Sequence, residues 1–417
     1  MNARKKVDVA VRAIALATAI RWAGWGFAEP AFAVFLYSFV KNYTDTGLIS
    51  ASYNFIFLFA VPVVGSMVNR GSARAIIMTG LLLYPFIGLG HTIGGLTGIA
   101  LFVILAQLVN GVSYAFDSVG RITLIRRHVG AHEIGNALGY FDTVATFGWI
   151  CAALVGALAV NFIELPWLFA MIIPTSLITL WVVSRIKPDS PPPAAHQEQH
   201  GFLMPYRQFM RAVRHWRSPM RQCAISTVLT GMLSVVNGLI IPIYSYVGGA
   251  SLTKVMLLGA FASVPMLFGS RLGWLVDRSP KKARTIAFIC AGVLIALLAL
   301  TGNYYLQLAI AFLIGITVEL ASLANAAIIM HLAKPENYGT VTSELQFLGS
   351  LGAMLAPIAI GGLIDWLGSA GGLAVVSVMF LSLALYLNRA RVHGFELDML
   401  FALRRARHAT TTASLNN

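Results

Sequence analysis

The decapeptide GWLVDRSPKK, residues 273–282, lies between two apolar runs and has a counterpart, GSMVNRGSAR, at residues 65–74. Both begin with glycine, carry arginine at the sixth position and end in basic residues. Each also follows the second apolar run of its half of the chain. A repeat in corresponding places of two halves predicts a duplicated fold.

The composition agrees with a membrane protein. Of 417 residues, 58% are hydrophobic and 11% are charged, whereas soluble domains carry about 25% charged residues. Apolar runs long enough to cross about 30 Å of hydrocarbon are predicted near residues 14–40, 46–68, 74–93, 98–123, 135–160, 166–186, 221–246, 253–276, 284–302, 304–332, 340–363 and 370–388. The predicted fold is an all-α integral membrane protein with twelve transmembrane helices in two pseudo-symmetric six-helix bundles.

The charge distribution predicts the orientation. The net charge is +14, yet among 30 lysines and arginines only Lys41 and Lys254 fall in the predicted outer connections. Positive residues concentrate on the cytoplasmic side of membrane proteins. We therefore expect both termini in the cytoplasm and a place in the plasma membrane, most simply a bacterial inner membrane. The basicity is a topology signal, and we expect no nucleic-acid partner.

The expected division of the chain follows from one hydrophilic interruption. Residues 1–186 form the N-terminal six-helix bundle, residues 221–390 form the C-terminal bundle, and residues 391–417 form a cytoplasmic tail. Residues 187–220 form a cytoplasmic linker that begins Pro-rich and ends in PYRQFMRAVRHWRSPMR. Its apolar and arginine-bearing faces predict an amphipathic helix on the inner leaflet; a solvated linker helix is the alternative.

The second decapeptide resembles the signature loop of the major facilitator superfamily, G-x-L-[AV]-D-R-x-x-[KR]-[KR]. The matching residues are Gly273, Asp277, Arg278, Lys281 and Lys282. The first copy keeps Arg70 but has Asn69 where the pattern has aspartate. The resemblance identifies no subfamily. It implies two bundles that rock around a central cavity, and gating roles for Asn69, Arg70, Asp277 and Arg278. A basic cytoplasmic turn is the alternative interpretation.

Gly65 and Gly273 open the two loop copies. Small residues at such places permit close approach of helices, and we expect that approach at both glycines.

Polar and charged side chains inside the predicted spans follow helical spacing. Span 1 carries Arg21, Trp22, Trp25 and Glu29, span 4 carries Asn110, Tyr114, Asp117 and Arg121, span 7 carries Asn237 and Tyr244, and span 10 carries Glu319. A lipid-facing position would be costly for the charged groups. We therefore expect these faces to line a wet cavity or to contact each other.

Depth separates the expected roles of the charged groups. Glu29 and Glu319 lie near the middles of their spans, where a carboxyl group can exchange protons near neutral pH; a local hydrogen bond is the alternative. Arg21 and Asp117 lie at similar depth nearer the cytoplasm and are expected to form an ion pair with a structural or gating role. Arg121 belongs to the same gating set.

The function that these features favour is secondary active transport. We expect proton-coupled export of a hydrophobic or cationic compound, with aromatic rings supplying apolar and cation–π surface. A carrier for an anionic or metabolite-like solute that binds Arg21 is one alternative, and it weakens if Asp117 neutralises that arginine. A non-transporting scaffold or receptor is another.

We expect no enzyme, since H-E-x-x-H and G-K-[ST] motifs are missing from the sequence. We also expect no cofactor and no metal site. The expected state is a monomer whose partners are the small-molecule substrate, protons and the lipid bilayer.

Overall fold

The computed structural model describes residues 9–129, 134–187, 189, 218–332 and 338–389. Within these ranges the chain is helical, with short connections. The predicted amphipathic linker helix and the cytoplasmic tail lie outside the described residues.

The N-terminal half begins with a broken helix. Its helices are α1 (Val9–Gly26), α2 (Phe32–Val40), α3 (Tyr43–Arg70), α4 (Ala73–Thr97), α5 (Ala100–His128), α6 (Ile134–Ala159), α7 (Leu165–Phe169) and α8 (Ile172–Ser184). A 3₁₀ turn, Glu29–Ala31, joins α1 to α2.

The C-terminal half also begins with a broken helix. Its helices are α9 (Ser218–Val235), α10 (Ile241–Val247), α11 (Leu252–Ser263), α12 (Gly269–Arg278), α13 (Pro280–Ala299), α14 (Tyr304–Leu332) and α15 (Tyr338–Arg389). A π-helical segment, Val236–Ile240, joins α9 to α10, and a 3₁₀ segment, Val264–Phe268, joins α11 to α12.

Nine helices of the described chain are long and apolar enough to cross a membrane, and the number rises to eleven when two bent pairs count as one span each. The predicted twelve would need the apolar run Phe347–Asn388 within α15 to count as two. That run has 42 residues, which at ~1.5 Å per residue is about twice the thickness of the hydrocarbon core. Gly368, with φ 74° and ψ 165°, interrupts it. The total of twelve stays a prediction.

Proline explains the breaks in the first and seventh predicted spans. It lacks the N–H that an uninterrupted helical ladder requires. Pro30 lies in the 3₁₀ turn where the chain bends by 40° between α1 and α2. Pro242 is the second residue after the π-helical segment, the kind of widened turn that often marks a functional site.

Each half has its own hydrophobic core, and each core includes a few residues from the other half. Met256 of α11 belongs to the core of the N-terminal half, whereas Ala33 and Tyr43 belong to that of the C-terminal half. Large apolar side chains such as Phe86 and Trp366 are exposed on the outside, as expected for a surface that faces lipid.

The glycines that open the signature loops do not mark close helix contacts. A Cβ built at Gly65 or Gly273 would have no described neighbour within 4 Å. The expected close approach at these positions is therefore wrong for this conformation. The tight approaches lie elsewhere: a Cβ at Gly111 would lie 2.6 Å from the carbonyl oxygen of Tyr53.

Candidate functional site

A cavity of about 440 Å³ lies among helices of the N-terminal half, and Ser263 and Met266 of the C-terminal half also line it. Seven aromatic residues line it: Trp22, Trp25, Phe32, Tyr53, Tyr84, Tyr114 and Trp149. Amide side chains add hydrogen-bonding groups, among them Asn54, Gln107 and Asn110. A wall of aromatic rings with a few placed polar groups is typical of a small-molecule site.

Glu29 is one of two charged residues that line the cavity within the described chain. Glu29 begins the 3₁₀ turn after α1, and the indole Nε1 of Trp149 donates a hydrogen bond to its Oε2. The side chain is exposed, because it opens onto the cavity. This arrangement gives Glu29 a fixed orientation while leaving it accessible to water or a solute.

Arg21 is the other charged residue in the wall, and it belongs to a buried triad. Its Nη1 lies 2.7 Å from Asp117 Oδ2, and Nη2 of Arg121 lies 2.8 Å from the same oxygen. All three side chains are at most 5% exposed. The structure thus brings together the residues for which an ion pair was expected, but one carboxylate serves two guanidinium groups.

The shared carboxylate leaves hydrogen-bond donors of both arginines unused. Tyr84 Oη accepts a bond from Arg21 Nη1. Arg21 Nε, Arg21 Nη2 and Arg121 Nη1 have no hydrogen-bond partner among the described residues. The three side chains carry one excess positive charge if all are ionised.

His91 of α4 supports the aromatic wall from behind, and sequence reasoning missed it. The ring is fully buried, and its Nδ1 lies 2.8 Å from the carbonyl oxygen of Ile87. Four aromatic rings lie 5.2–6.2 Å from the imidazole centre: Trp25, Phe32, Phe35 and Phe169. An isolated histidine in an apolar run carries no periodic signal, so only the packing reveals this role.

Three residues expected at the cavity are placed elsewhere. Glu319 of α14 lies against Gly269, whose Cβ, if present, would be 3.0 Å from Glu319 Oε1. Tyr244 donates a hydrogen bond of 3.2 Å to the carbonyl oxygen of Thr301. Asn237 lies half-buried in the π-helical segment, and its Oδ1 has no described partner. None of the three is among the residues that line the cavity.

The turn between α3 and α4 is held by a residue from the linker. Asp189 accepts hydrogen bonds from the backbone N–H groups of Ala73 (2.9 Å) and Arg74 (3.1 Å) and from Ser72 Oγ (2.6 Å). It also pairs with Arg127 of α5. Burial alone would raise the pKa of Asp189, but these hydrogen bonds and the arginine lower it to about 2. A carboxylate at a helix N-terminus is favourable, and no periodic pattern in the sequence indicates this contact.

The signature-loop residues are described only in part. Asn69 and Arg70 end α3, and their side chains lie outside the described set. Asp277 is exposed, and the guanidinium of Arg278 lies 3.7 Å from the centre of the Trp274 ring.

The sequence model described as Major Facilitator Superfamily matches residues 14–357 and, in a second match, residues 223–396. The chain belongs to this superfamily. An uncharacterized MFS-type transporter of Mycobacterium tuberculosis is 28% identical over 139 residues, which are 33% of this chain and 24% of that one. The chain thus matches about a quarter of the length of this curated relative.

Solved structures of several transporters share the fold at low sequence identity. The nucleoside transporter NupG is 13% identical with a TM-score of 0.71, over 91% of this chain and 97% of that one. A POT family transporter in complex with a thioalcohol-conjugated peptide is 10% identical with a TM-score of 0.75, over 90% and 94%. The human organic anion transporter MFSD10 is 13% identical with a TM-score of 0.64, over 90% and 98%.

In this superfamily member the two halves meet at the side that holds the α2–α3 turn, which we call the distal side. Asp365 of α15 accepts hydrogen bonds from the backbone N–H groups of Tyr43 (3.1 Å) and Thr44 (2.8 Å) and from Thr44 Oγ1 (2.6 Å). Thr253 Oγ1 donates a bond of 2.8 Å to Asn161 Oδ1. These bonds join the two halves directly.

Glycines bring the backbones together on the distal side. A Cβ at Gly361 would lie 2.6 Å from the carbonyl oxygen of Tyr43, and a Cβ at Gly47 would overlap the carbonyl group of Pro357. A Cβ at Gly259 would lie 2.7 Å from Cβ of Pro30. The distal ends of the halves are therefore packed backbone to backbone.

Proposed function

We propose that this protein is a proton-coupled secondary transporter, rather than an enzyme, that binds a hydrophobic small molecule in the 440 Å³ cavity. The observation that carries the proposal is the joint presence of an accessible carboxylate, Glu29, and an aromatic wall in one cavity. The halves would rock about this cavity, and the conformation described here would be one with the distal side closed.

Glu29 is the residue we assign to proton coupling. It opens onto the cavity and is oriented by Trp149, so a proton and a solute can reach the same carboxylate. Glu319 is a weaker candidate, because it lies between α14 and α12 and not in the cavity wall. Protonation that changes with the side to which the cavity opens is the simplest way to drive a solute by a pH gradient.

A hydrophobic or cationic substrate is the first candidate, and export is the direction we propose. Cations bind favourably over aromatic faces, and Glu29 adds a negative charge beside Trp25 and Trp149. We place the transporter in the plasma membrane with both termini in the cytoplasm, on the strength of the distribution of lysine and arginine.

An anionic solute is the second candidate, and a specific observation favours it. Asp117 pairs with Arg21 but also with Arg121, so it cannot neutralise both. The names of the similar solved structures give nucleosides, a peptide and organic anions as their solutes. A small molecule with polar groups is therefore in keeping with the fold.

Flux into proteoliposomes with an imposed pH gradient of either sign tests the proposal. We expect one or more hydrophobic solutes to accumulate against their gradient in the wild type. Glu29→Gln should abolish the response to pH, while Glu319→Gln should have a smaller effect. Glu164→Gln, an exposed acidic residue before α7, is the matched control.

Two outcomes contradict the proposal. Flux that ignores both the gradient and Glu29→Gln would remove proton coupling. No flux of any solute, with Glu29→Gln folding and localising as the wild type does, would favour a scaffold or receptor.

A further inference from the structure

The buried triad of Arg21, Asp117 and Arg121 presents one of its members, Arg21, to the cavity. Two guanidinium groups contact a single carboxylate oxygen, at 2.7 and 2.8 Å. A buried ion pair is stable only when its remaining donors and charges are satisfied. Here three guanidinium nitrogens have no hydrogen-bond partner within the described chain, although two further carboxyl groups, Glu29 and Asp142, face Arg21 and Arg121 respectively.

Among the described residues, Asp117 is the carboxylate in salt-bridge contact with Arg21, and Glu29 of the same cavity faces Arg21 without contacting it. The phenols of Tyr53, Tyr84 and Tyr114 also face its guanidinium. Tyr84 and Tyr114 present their rings, with centres 4.9 and 5.9 Å from Arg21 Cζ. The Nε and Nη2 atoms of Arg21 remain without a partner, although the side chain is 2% exposed and lines the cavity.

We propose that Arg21 is an oxyanion-binding subsite, and that the transported molecule is an aromatic or hydrophobic organic anion, such as a carboxylate, whose oxygens bind Nε and Nη2. This inference rests on the proposed transport function and decides between its two charge classes. Guanidinium binds carboxylate through two parallel hydrogen bonds, and Arg21 has the two donors free. The aromatic residues of the cavity wall contact the apolar part of the solute.

Glu29 couples anion binding at this subsite to its own protonation. The groups that face its carboxylate in the described chain are Trp149 of α6, which donates to it, Arg21 of α1, and Tyr53 of α3. Arg21 and Glu29 lie on the two sides of the break that follows α1, and both line the cavity. At a separation of ~12 Å and an effective dielectric constant of about 20, an anion bound at Arg21 and an ionised Glu29 weaken each other about tenfold. The anion therefore binds together with a proton on Glu29.

The test is equilibrium binding to the purified full-length protein by calorimetry, which requires no transport. The probes share one aromatic core and differ in charge: 1-naphthoate, 1-naphthylmethylammonium and 1-naphthylmethanol. We expect naphthoate to bind at least tenfold more tightly than the other two. Its affinity should fall about tenfold as rising pH ionises Glu29, and Glu29→Gln should hold the tight value at every pH.

Two substitutions separate a binding role from a structural one. Arg21→Gln should remove the preference for naphthoate. Asp117→Asn removes the competing carboxylate and should strengthen naphthoate binding, the opposite of what loss of a structural ion pair would do. Lys254→Gln is the control, since this lysine is exposed at the start of α11, away from the cavity.

Equal binding of the three probes, no binding of naphthoate, or weaker naphthoate binding in Asp117→Asn would overturn the subsite. The companion flux assay keeps the two proposals apart. Transport of the ammonium probe without naphthoate binding rejects the subsite and retains the transporter. Naphthoate binding with the expected Asp117→Asn response but no flux rejects transport and retains the subsite.

Discussion

The distal contact of Asp365 offers a direct way to move the conformational equilibrium. Its carboxylate bonds two backbone N–H groups in the first turn of α3 and the hydroxyl of Thr44, all across the interface between the halves. Losing a capping side chain costs typically ~1 kcal/mol, and losing a negative charge at a helix N-terminus costs about 0.3–1 kcal/mol more. Asp365→Ala should therefore shift the balance between distal-closed and distal-open forms by about 1–2 kcal/mol, or roughly 5- to 30-fold.

The assay is a distance measurement between two spin labels on the distal side, in lipid nanodiscs. Phe162, 88% exposed, and Leu300, 84% exposed, lie in different halves and suit labelling after substitution by cysteine. Cys151 and Cys290 are exposed and would be replaced by alanine, whereas Cys223 is buried and can remain. We expect Asp365→Ala to add or enlarge a population at longer distance.

The control is Asp45→Ala. Asp45 is also an acidic residue in the first turn of α3, but its side chain bonds Asn42 of its own half. A distance distribution for Asp365→Ala that superimposes on those of the wild type and Asp45→Ala would refute the reasoning.

Two further predictions concern the ends of the molecule. Gly47→Ala should also favour the distal-open form in the same spin-label assay, because its Cβ would overlap the carbonyl group of Pro357. Gly139→Ala is the control, since a Cβ there would meet open space and should leave the distances unchanged. Equal distance distributions for the two variants would contradict the close packing at Gly47. Asp189→Asn should lower the free energy of unfolding by about 1–2 kcal/mol at pH 7, as measured by thermal unfolding in detergent with Glu164→Gln as control. Because the pKa of Asp189 is lowered to about 2 from about 3.9 in an unfolded chain, this stabilisation is present above about pH 4 and is lost as the pH falls toward 2, so the wild type and the variant should converge there. A difference that persists at pH 2 would contradict the assignment.

The fold was predictable because the apolar runs and the repeated loop can be recognised in the sequence without knowing which residues are in contact. The number of spans was harder to predict, since the run around Gly368 is apolar. Only the backbone conformation of Gly368 marks the break in that run. Nothing in hydropathy distinguishes a glycine at positive φ from one inside a helix.

Part of the site followed from spacing on single helices. Arg21, Trp25 and Glu29 share one face of span 1, and Asp117 and Arg121 share one face of span 4, so a contact between these faces could be anticipated. Periodicity does not say how many partners a carboxylate serves. That Asp117 contacts both arginines depends on the packing of α1 against α5.

The rest of the site depends on how the two halves are placed. Glu319 and Tyr244 belong to the C-terminal half, and whether they reach the cavity changes with the rotation of that half. Asp189 was assigned to a linker because of the prolines that follow it. Its carboxylate nevertheless accepts hydrogen bonds from the first N–H groups of α4. Long-range capping of this kind leaves no local pattern.

The position of Asp189 bears on where the chain can be divided. If the two halves are produced as separate polypeptides, a cut directly after residue 186 would leave the α3–α4 turn without its carboxylate and Arg127 without its partner. A cut after residue 190 would keep both within the first fragment. Fragment complementation should therefore succeed more readily with the longer N-terminal piece, and the functional border of that piece lies a few residues beyond the end of its last helix.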